Sequence, residues 1–340
     1  MRRTLENRLE ELCRKFGYAA YKMSRFEEYE LYVRNKDFLQ SDRVITFSGA
    51  DGRLLAMKPD VTLSIVKNAP EAPGAVRKVH YRENVYRQER DGGNFREILQ
   101  AGIECVGDVG SYEIAEGVYL AARSLAALGE GTILSLSHVG LIREALEQSG
   151  LPESARKQAL DCLARKREQE LRALCAEHGA DDRQLLTLLG ARTIGELDTL
   201  ADCPALAELR QIVALLDGEQ VRLDFSLGND MKYYSGLVFQ GYVRGVPASV
   251  LSGGQYDRLL SHMGKKARAI GFAVYLDRLS AYSEGWDVDT LLLTGDAGPA
   301  QILAAAESLS GSVLAAKSEP ADRTWKREAI LENGEVRYLD

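Results

Sequence analysis

Residues 79–107 of the chain read VHYRENVYRQERDGGNFREILQAGIECVG. Polar and apolar residues alternate with a period of two on both sides of a short central cluster, and this is the period of side chains along a strand. The cluster itself, DGGN at residues 91–94, consists of turn residues that tolerate positive φ. The stretch therefore predicts a long antiparallel hairpin.

The alternation places an unusual set of residues on one face of the return strand. Gln100, Gly102 and Glu104 point to this face, and the apolar residues between them point to the other. On the outgoing strand Arg87 shares a face with Glu89, so an arginine can lie across the hairpin from these acceptors. An amide, a bare glycine and a carboxylate provide room and polarity for a ligand. The simpler interpretation is an amphipathic hairpin whose polar face lies in water.

The hairpin resembles the second signature of class II aminoacyl-tRNA synthetases, and specifically that of histidyl-tRNA synthetase. The residues that carry the resemblance are Arg87, Glu89, Arg90, Gln100, Gly102 and Glu104. In that family they form the floor of the amino-acid and adenylate site. Further matches extend the resemblance over roughly residues 10–280. It implies an α+β fold, a class II synthetase-like antiparallel sheet flanked by helices.

Composition indicates an ordinary globular protein. Its 340 residues suffice for one domain of about 200–250 residues plus smaller pieces. A net charge of -7 argues against binding to the phosphate backbone of a nucleic acid, because such binding needs clustered Lys and Arg. The five cysteines are scattered, no signal peptide precedes the first helix, and no run of about 18 apolar residues occurs. We therefore expect a cytoplasmic protein with no membrane segment and no metal.

Residues 58–62, KPDVT, open a predicted helix. Proline in a first helical turn, with aspartate and threonine beside it, is a common N-terminal pattern that explains these residues by itself. The segment also resembles the synthetase sequence arginine, proline, glutamate, glycine, threonine, whose acid and threonine touch the amino group of the substrate. The resemblance implies binding roles for Asp60 and Thr62.

Two further segments match the family. Residues 229–236, NDMKYYSG, resemble the signature that surrounds the imidazole in histidyl-tRNA synthetase, although the two tyrosines are equally typical of a packed core. Residues 252–257, SGGQYD, match a loop that places a tyrosine beside the same pocket. The histidine-binding residues that the resemblance implies are Asp60, Thr62, Arg87, Gln100, Glu104, Tyr233, Tyr234 and Tyr256.

The remaining patterns give the domain organisation. Apolar residues at helical spacing predict an insertion of several short helices over about residues 139–218, within a synthetase-like domain of residues 1–283. Residues 221–227 alternate cleanly and predict a strand. Residues 284–340 predict a small α/β segment that ends in a hairpin around residues 332–334. In the synthetases the first helix and strands form the dimer interface, so the resemblance implies a homodimer.

The chain departs from the synthetases where adenylation would occur. Adenylation needs cations against the charge that develops at the α-phosphate, yet Asn229 replaces the family's arginine and Lys232 is the nearest candidate substitute. In the third signature, residues 271–279, Tyr275 replaces a glycine and would fill space that the nucleotide needs. The last segment is much shorter than an anticodon-reading domain. We expect a pocket that holds an amino acid without activating it, and no tRNA partner.

A synthetase fold that keeps a histidine pocket without catalysis resembles the regulatory subunits of ATP phosphoribosyltransferase, the first enzyme of histidine biosynthesis. The resemblance implies a non-catalytic subunit that needs no cofactor. It also implies assembly with a short-form catalytic subunit into a hetero-octamer, in which histidine is the allosteric feedback inhibitor. Two alternatives remain open: an active histidyl-tRNA synthetase with a trimmed tail, and a free-standing histidine sensor.

Overall fold

The computed structural model describes most of the chain. The described residues are 2–39, 43–88, 94–129, 131–216, 221–229, 233–279, 288–320 and 323–339. They divide into two compact units, one within Glu6–Leu279 and one within Ser280–Asp340 together with Met1–Leu5. Glu89, Arg90, most of the predicted hairpin turn, Lys232 and the side chain of Asn229 lie outside the described part.

Helices and strands are both present in the described chain. The helices are α1 Arg2–Lys15, α2 Tyr29–Arg34, α3 Thr62–Val66, α4 Ser111–Ala126, α5 Val139–Gln148, α6 Glu153–Ala164, α7 Glu168–His178, α8 Arg183–Gly190, α9 Pro204–Leu215, α10 Asp257–His262, α11 Leu276–Leu279 and α12 Pro299–Ser308. The strands are β1 Ala19–Ala20, β2 Phe26–Glu28, β3 Thr46–Ser48, β4 Leu54–Met57, β5 Val76–Gln88, β6 Phe95–Gly107, β7 Thr132–His138, β8 Val221–Leu223, β9 Leu237–Val243, β10 Leu251–Gln255, β11 Arg268–Tyr275, β12 Val288–Leu293, β13 Val313–Ala316, β14 Trp325–Glu332 and β15 Glu335–Leu339. Within the described residues, short 3₁₀ turns occupy Lys36–Phe38, Ile194–Leu197 and Phe225–Asn229.

An eight-stranded sheet forms the centre of the large unit, in the order β1-β5-β6-β11-β10-β9-β7-β8. Its six inner strands pair antiparallel, and only the short edge strands β1 and β8 pair parallel. β5 and β6 pair over thirteen residues each, from Val76 opposite Gly107 to Gln88 opposite Phe95. The hairpin predicted from the period of two is confirmed.

Both faces of this hairpin are covered. Helix α4 packs across one face, where Gly117 lies against Ile270 of β11. On the other face lie α3, α10 and a buried apolar cluster that includes Val61 and Tyr256. Gln100 and Glu104 are only 3% and 2% exposed. The simpler interpretation, a polar face in water, is therefore wrong, because elements distant in sequence close over it.

The helical insertion lies between β7 and β8. Helices α5 to α9 occupy residues 139–215, as the helical periodicity predicts. The strand predicted over 221–227 is wrong beyond Leu223, where the chain turns into a 3₁₀ segment. Asp224 causes this turn, because its Oδ1 accepts hydrogen bonds from the backbone N–H and the hydroxyl of Ser226, at 3.1 and 2.6 Å. Such local bonds of an aspartate compete with strand pairing.

The small unit has its own four-stranded sheet, in the order β13-β12-β14-β15. β12 pairs parallel with β13 and β14, and α12 packs against this sheet through Ala305, which is buried with Leu292. β14 and β15 form the predicted hairpin, whose turn residues Asn333 and Gly334 have φ of 51° and 85°. Two consecutive positive φ values are typical of the type I′ turn of two-residue hairpins. The α+β fold class with a helical insertion and a short α/β tail is confirmed.

A second sheet in the large unit, β2-β4-β3, is antiparallel and precedes the hairpin. Its strands β3 and β4 flank a turn in which Gly52 has a φ of 79°. Across the described ranges, no helix combines the length and the apolar character that crossing a lipid bilayer requires.

Candidate ligand-binding site

A cavity of about 90 Å³ lies over the polar face of β6. It is several times larger than the roughly 10–15 Å³ that one water molecule needs. All eight residues named from the sequence line it: Asp60, Thr62, Arg87, Gln100, Glu104, Tyr233, Tyr234 and Tyr256. Lining residues that the sequence analysis did not assign to the histidine pocket include Phe38, Leu39, Tyr81, Ser252, Phe272 and Tyr275. The structure thus brings the eight together, while their role in binding histidine stays a prediction.

Glycines on adjacent strands make the space for two of the lining side chains. Gly271 pairs with Glu104 across β11 and β6, and a Cβ atom at position 271 would overlap the Glu104 carboxyl. Gly102 pairs with Tyr81 across β6 and β5, and a Cβ there would lie 2.7 Å from the Tyr81 hydroxyl oxygen. Gly102, the glycine in the sequence pattern of β6, therefore leaves space for the Tyr81 side chain of the neighbouring strand.

We expect Gly271→Ala to destabilise the protein by about 1–3 kcal/mol, the usual cost of overpacking a core. The new methyl group has little room to relax, because it would also lie 2.6 Å from the backbone carbonyl oxygen of Ile103. Gly190→Ala is the matched control, since no atom lies within 4 Å of a Cβ at that position. Urea unfolding measures both variants, and equal midpoints for the two would contradict the prediction.

Asp60 serves both the helix and the cavity. Its Oδ1 accepts the backbone N–H of Leu63 at 3.0 Å, which is the helix-start role that the sequence pattern predicts. Its Oδ2 lies 3.8 Å from Nη2 of Arg87. The Arg87 Nε also donates to the carbonyl oxygen of Pro59 at 2.7 Å, so the arginine holds the KPDVT segment against β5. The structural and the binding interpretations of this segment are therefore compatible.

Glu104 is the most enclosed acid of the cavity. The Thr62 hydroxyl donates to its Oε1 at 2.7 Å, and the Tyr256 hydroxyl donates to its Oε2. Burial raises the pKa of the Glu104 carboxyl to about 8, the two hydroxyl donors oppose this rise, and the charge of Asp60 adds to it. Near neutral pH the carboxyl therefore holds a proton for much of the time.

The cavity has more acids than cations. Burial also raises the pKa of Asp60, against the lowering effect of the Arg87 guanidinium. Among the described lining residues, Arg87 is the only cationic side chain. Buried carboxyls with raised pKa values are a feature of functional sites, because a cationic ligand group supplies the missing partner. The arrangement favours a ligand with an amino group.

Gln100 adds a donor to the same cavity. Its side chain is 3% exposed, and within the described residues its amide Nε2 makes no hydrogen bond. A buried donor without a partner costs about 1–3 kcal/mol, so buried amides nearly always have one. An acceptor on a bound ligand, such as a carboxylate oxygen or a ring nitrogen, would satisfy it.

Three tyrosines form the aromatic wall. The ring centroids of Tyr233 and Tyr234 are 4.8 Å apart in an edge-to-face arrangement, and those of Tyr233 and Tyr256 are 5.9 Å apart. Burial raises the pKa of Tyr233 and of Tyr256 well above the usual phenol range, so both hydroxyls stay neutral. Such rings stack favourably on a flat aromatic ligand group such as an imidazole.

Tyr275, the residue that departs from the third signature, lies in the cavity wall and is 6% exposed. The Arg278 guanidinium lies over the Tyr275 ring, 4.2 Å from its centroid, and also donates to the carbonyl oxygen of Ser249. The side chains of Tyr275 and Arg278 in this signature thus contact other groups of the protein. In the described part of the chain, no group of three or more His, Cys, Asp or Glu is placed to hold a metal ion.

An antiparallel sheet with this central hairpin, covered by helices and bearing a cavity of acidic, amide and aromatic side chains on its polar face, defines a class II aminoacyl-tRNA synthetase-like protein. The sequence profile described as histidyl-tRNA synthetase matches residues 1–279. The chain therefore belongs to the histidyl-tRNA synthetase family.

Its relatives carry two different names. The ATP phosphoribosyltransferase regulatory subunit of Moorella thermoacetica is 30% identical, over 98% of this chain and 88% of the relative. The histidine–tRNA ligase of Methanoregula boonei is 29% identical, over 82% of this chain and 70% of the relative. A chain of the ATP phosphoribosyl transferase (HisG:HisZ) complex from Thermotoga maritima matches with a TM-score of 0.67 at 18% identity, over 81% of this chain and 97% of that chain, which shows the fold alone. The resemblance to such regulatory subunits is confirmed.

Proposed function

We propose that this chain is a regulatory subunit of ATP phosphoribosyltransferase, that it binds histidine in the cavity, and that it has no aminoacylation activity. The observation that carries the proposal is the acid-rich cavity in a chain that aligns over 98% of its length with such a subunit. The regulatory role is favoured over the ligase role because the chain departs from the synthetases at Asn229 and Tyr275, where adenylation would occur.

The charges of the cavity suit a histidine zwitterion. Its ammonium group would lie near Asp60 and Glu104, its carboxylate near Arg87 and the amide of Gln100, and its imidazole against the tyrosine wall. Each charge-assisted hydrogen bond is worth roughly 1.5–3 kcal/mol. Loss of any one of them would weaken binding by about 10-fold to 150-fold.

The nucleotide end of the site supports the absence of adenylation. The cavity of about 90 Å³ is smaller than the roughly 300–1,000 Å³ of most small-molecule pockets, and Tyr275 forms part of its wall. Arg278, which follows in the same signature, is held by Tyr275 and Ser249. These features favour an amino acid over an acyl-adenylate as the ligand.

The proposed partner is a short-form catalytic subunit of the same enzyme. A protein of this fold occurs in the Thermotoga maritima complex, which supports an assembly of this kind. We propose a homodimer within a cytoplasmic hetero-octamer, to which tRNA does not bind. Histidine can inhibit at a distance only if it binds two quaternary states unequally, typically by about 1–3 kcal/mol.

Titration of the purified chain with histidine and, separately, with ATP tests the proposal. We expect heat of binding with histidine and none with ATP. Adding the chain to a short-form catalytic subunit should then make phosphoribosyl transfer sensitive to histidine, whereas the catalytic subunit alone should stay insensitive. Histidine binding without association would instead favour a free-standing sensor.

The second candidate is an active histidyl-tRNA synthetase, which the family match and the ligase relative favour. It predicts that histidine drives exchange of pyrophosphate into ATP by the purified chain. Histidine-dependent exchange would replace the regulatory proposal. We expect no exchange above the background without histidine.

A further inference from the structure

The two hydroxyl donors to Glu104 each stand at the start of a short helix. Thr62 is the first residue of α3, and Tyr256 directly precedes α10. The helices α3 and α10, of five and six residues, leave the cavity and end at the same surface groove of about 600 Å³. The helix α3 is followed there by Lys67, and α10 ends there at His262.

At the groove, both helix ends are tied to the β2–α2 segment, residues 26–34. Lys67 Nζ lies 2.6 Å from Glu27 Oε2 of β2. His262 Nε2 lies 3.0 Å from the backbone carbonyl oxygen of Arg34 at the end of α2. Because a carbonyl oxygen only accepts, His262 must donate through Nε2. Two separate connections therefore run from the Glu104 donors to one segment.

A third contact links the cavity to His262 at the groove. Phe38, in the 3₁₀ turn that follows α2, lines the cavity and packs its ring against His262 at 5.1 Å between centroids. The Phe38 ring also lies 6.0 Å from that of Tyr233 in the cavity wall. Between the cavity and the groove lies a packed apolar core, which includes Leu63, Ile65 and Leu259. Close packing transmits small displacements along such contiguous contacts.

We propose that Lys67 and His262 are positioning residues that transmit the occupancy of the cavity to the β2–α2 segment. The inference rests on the proposed function, because it takes histidine as the ligand. When a cationic group approaches Glu104, the hydroxyls of Thr62 and Tyr256 shift with the carboxyl, and α3 and α10 move at their other ends. No residue of 26–34 lines the cavity, so any response there is indirect.

Hydrogen–deuterium exchange of the full chain with and without histidine tests this inference. We expect histidine to slow exchange in residues 60–66 through direct contact and in residues 26–34 through the two connections. In Lys67→Met and in His262→Phe, which keeps an aromatic ring on Phe38, protection of 26–34 should be lost while that of 60–66 remains. Histidine affinity should change less than about fivefold, because partly exposed polar contacts are weak.

Two further variants separate a transmitting role from a merely structural one. Exchanging the charges in the double variant Glu27→Lys with Lys67→Glu should restore protection of 26–34. Lys166→Met breaks a comparable pair, between Lys166 of the helical insertion and Asp224 after β8 at 2.8 Å, and should leave the response intact. Histidine binding with no response in 26–34, or an unchanged response in both single variants, would overturn the inference alone. Absence of histidine binding to the unaltered chain would overturn the proposed function and the inference with it.

Discussion

Glu104→Gln should lose histidine binding and yet give a more stable protein at neutral pH. The amide has the shape of the carboxyl and can still bond to both hydroxyls, of Thr62 and Tyr256, because a hydroxyl both donates and accepts. It cannot supply a negative charge to a ligand cation. We expect binding to weaken by roughly 10-fold to 150-fold, the value of one charge-assisted hydrogen bond. Calorimetric titration with histidine measures this loss.

The gain in stability follows from the raised pKa of Glu104, about 8 in the fold against 4.5 for an unperturbed glutamate. The folded state binds this proton more tightly than the unfolded state, so the free energy of unfolding falls as pH rises from about 4.5 to 8. At pH 7 the raised pKa lowers the free energy of unfolding by on the order of 3 kcal/mol relative to acidic pH. Glutamine has no charge to bury. The gain in stability of Glu104→Gln over the unaltered chain should therefore be absent at pH 4.5 and large at pH 8.

Thermal unfolding at pH 4.5, 6 and 8 measures this advantage. Glu116→Gln is the matched control, since Glu116 is also buried but lies outside the cavity and pairs with Lys78 at 2.7 Å. Removing one partner of a buried pair leaves a charge uncompensated, so this variant should lose stability and keep histidine binding. A Glu104→Gln protein that melts below the unaltered chain at pH 8 would contradict the burial argument.

Histidine affinity should rise with pH between about 6 and 8. A cationic ligand group beside Glu104 lowers the pKa of its carboxyl from about 8, so binding releases a proton. Binding is then favoured as proton concentration falls, by at most about tenfold per pH unit for one proton, until the free carboxyl is itself ionised near pH 8. If the imidazole also bound as a cation, it would take up a proton above about pH 6.5 and cancel the proton that Glu104 releases, so the affinity would be nearly independent of pH over this range.

Titration at one pH in two buffers of different ionisation enthalpy counts the protons released. We expect close to one proton at pH 6.5 and fewer at pH 8.5. In Glu104→Gln the remaining binding should lose most of this dependence and keep only the part due to Asp60, whose pKa is also raised by burial. Uptake of protons by the unaltered chain would show that Glu104 does not meet a cation.

Local patterns predicted much of the fold. The period of two over residues 79–107 predicted β5 and β6, and the helical spacing after β7 predicted the insertion, because both depend on which side of an element faces the core. The Asn333-Gly334 pair predicted its turn, because few residues accept two positive φ values. The error at residues 224–227 arose because the alternation of side chains does not reveal the bonds between Asp224 and Ser226.

The cavity was predictable in part. Motif resemblance named eight residues that line it, but Phe38 and Tyr81 were missed, since neither belongs to a matched motif. The pattern of β6 suggested room for a ligand, yet it left a solvated face equally plausible. Whether a polar face is solvated depends on what packs over it, and here α3, α10 and their flanking segments come from far along the chain.

The amino-acid sequence by itself determined the hairpin with its two faces, the helical insertion, and the set of polar side chains available on β6. Tertiary structure alone decided that Glu104 and Gln100 are buried, that Gly271 leaves space for the Glu104 carboxyl, and that Lys67 and His262 meet the β2–α2 segment at one groove. The physical reason is the distance along the sequence over which each kind of interaction acts. Periodicity and turn preference act over a few residues, whereas the burial of Glu104, and with it the pKa of its carboxyl, is set by segments 42 and 152 residues away in the sequence.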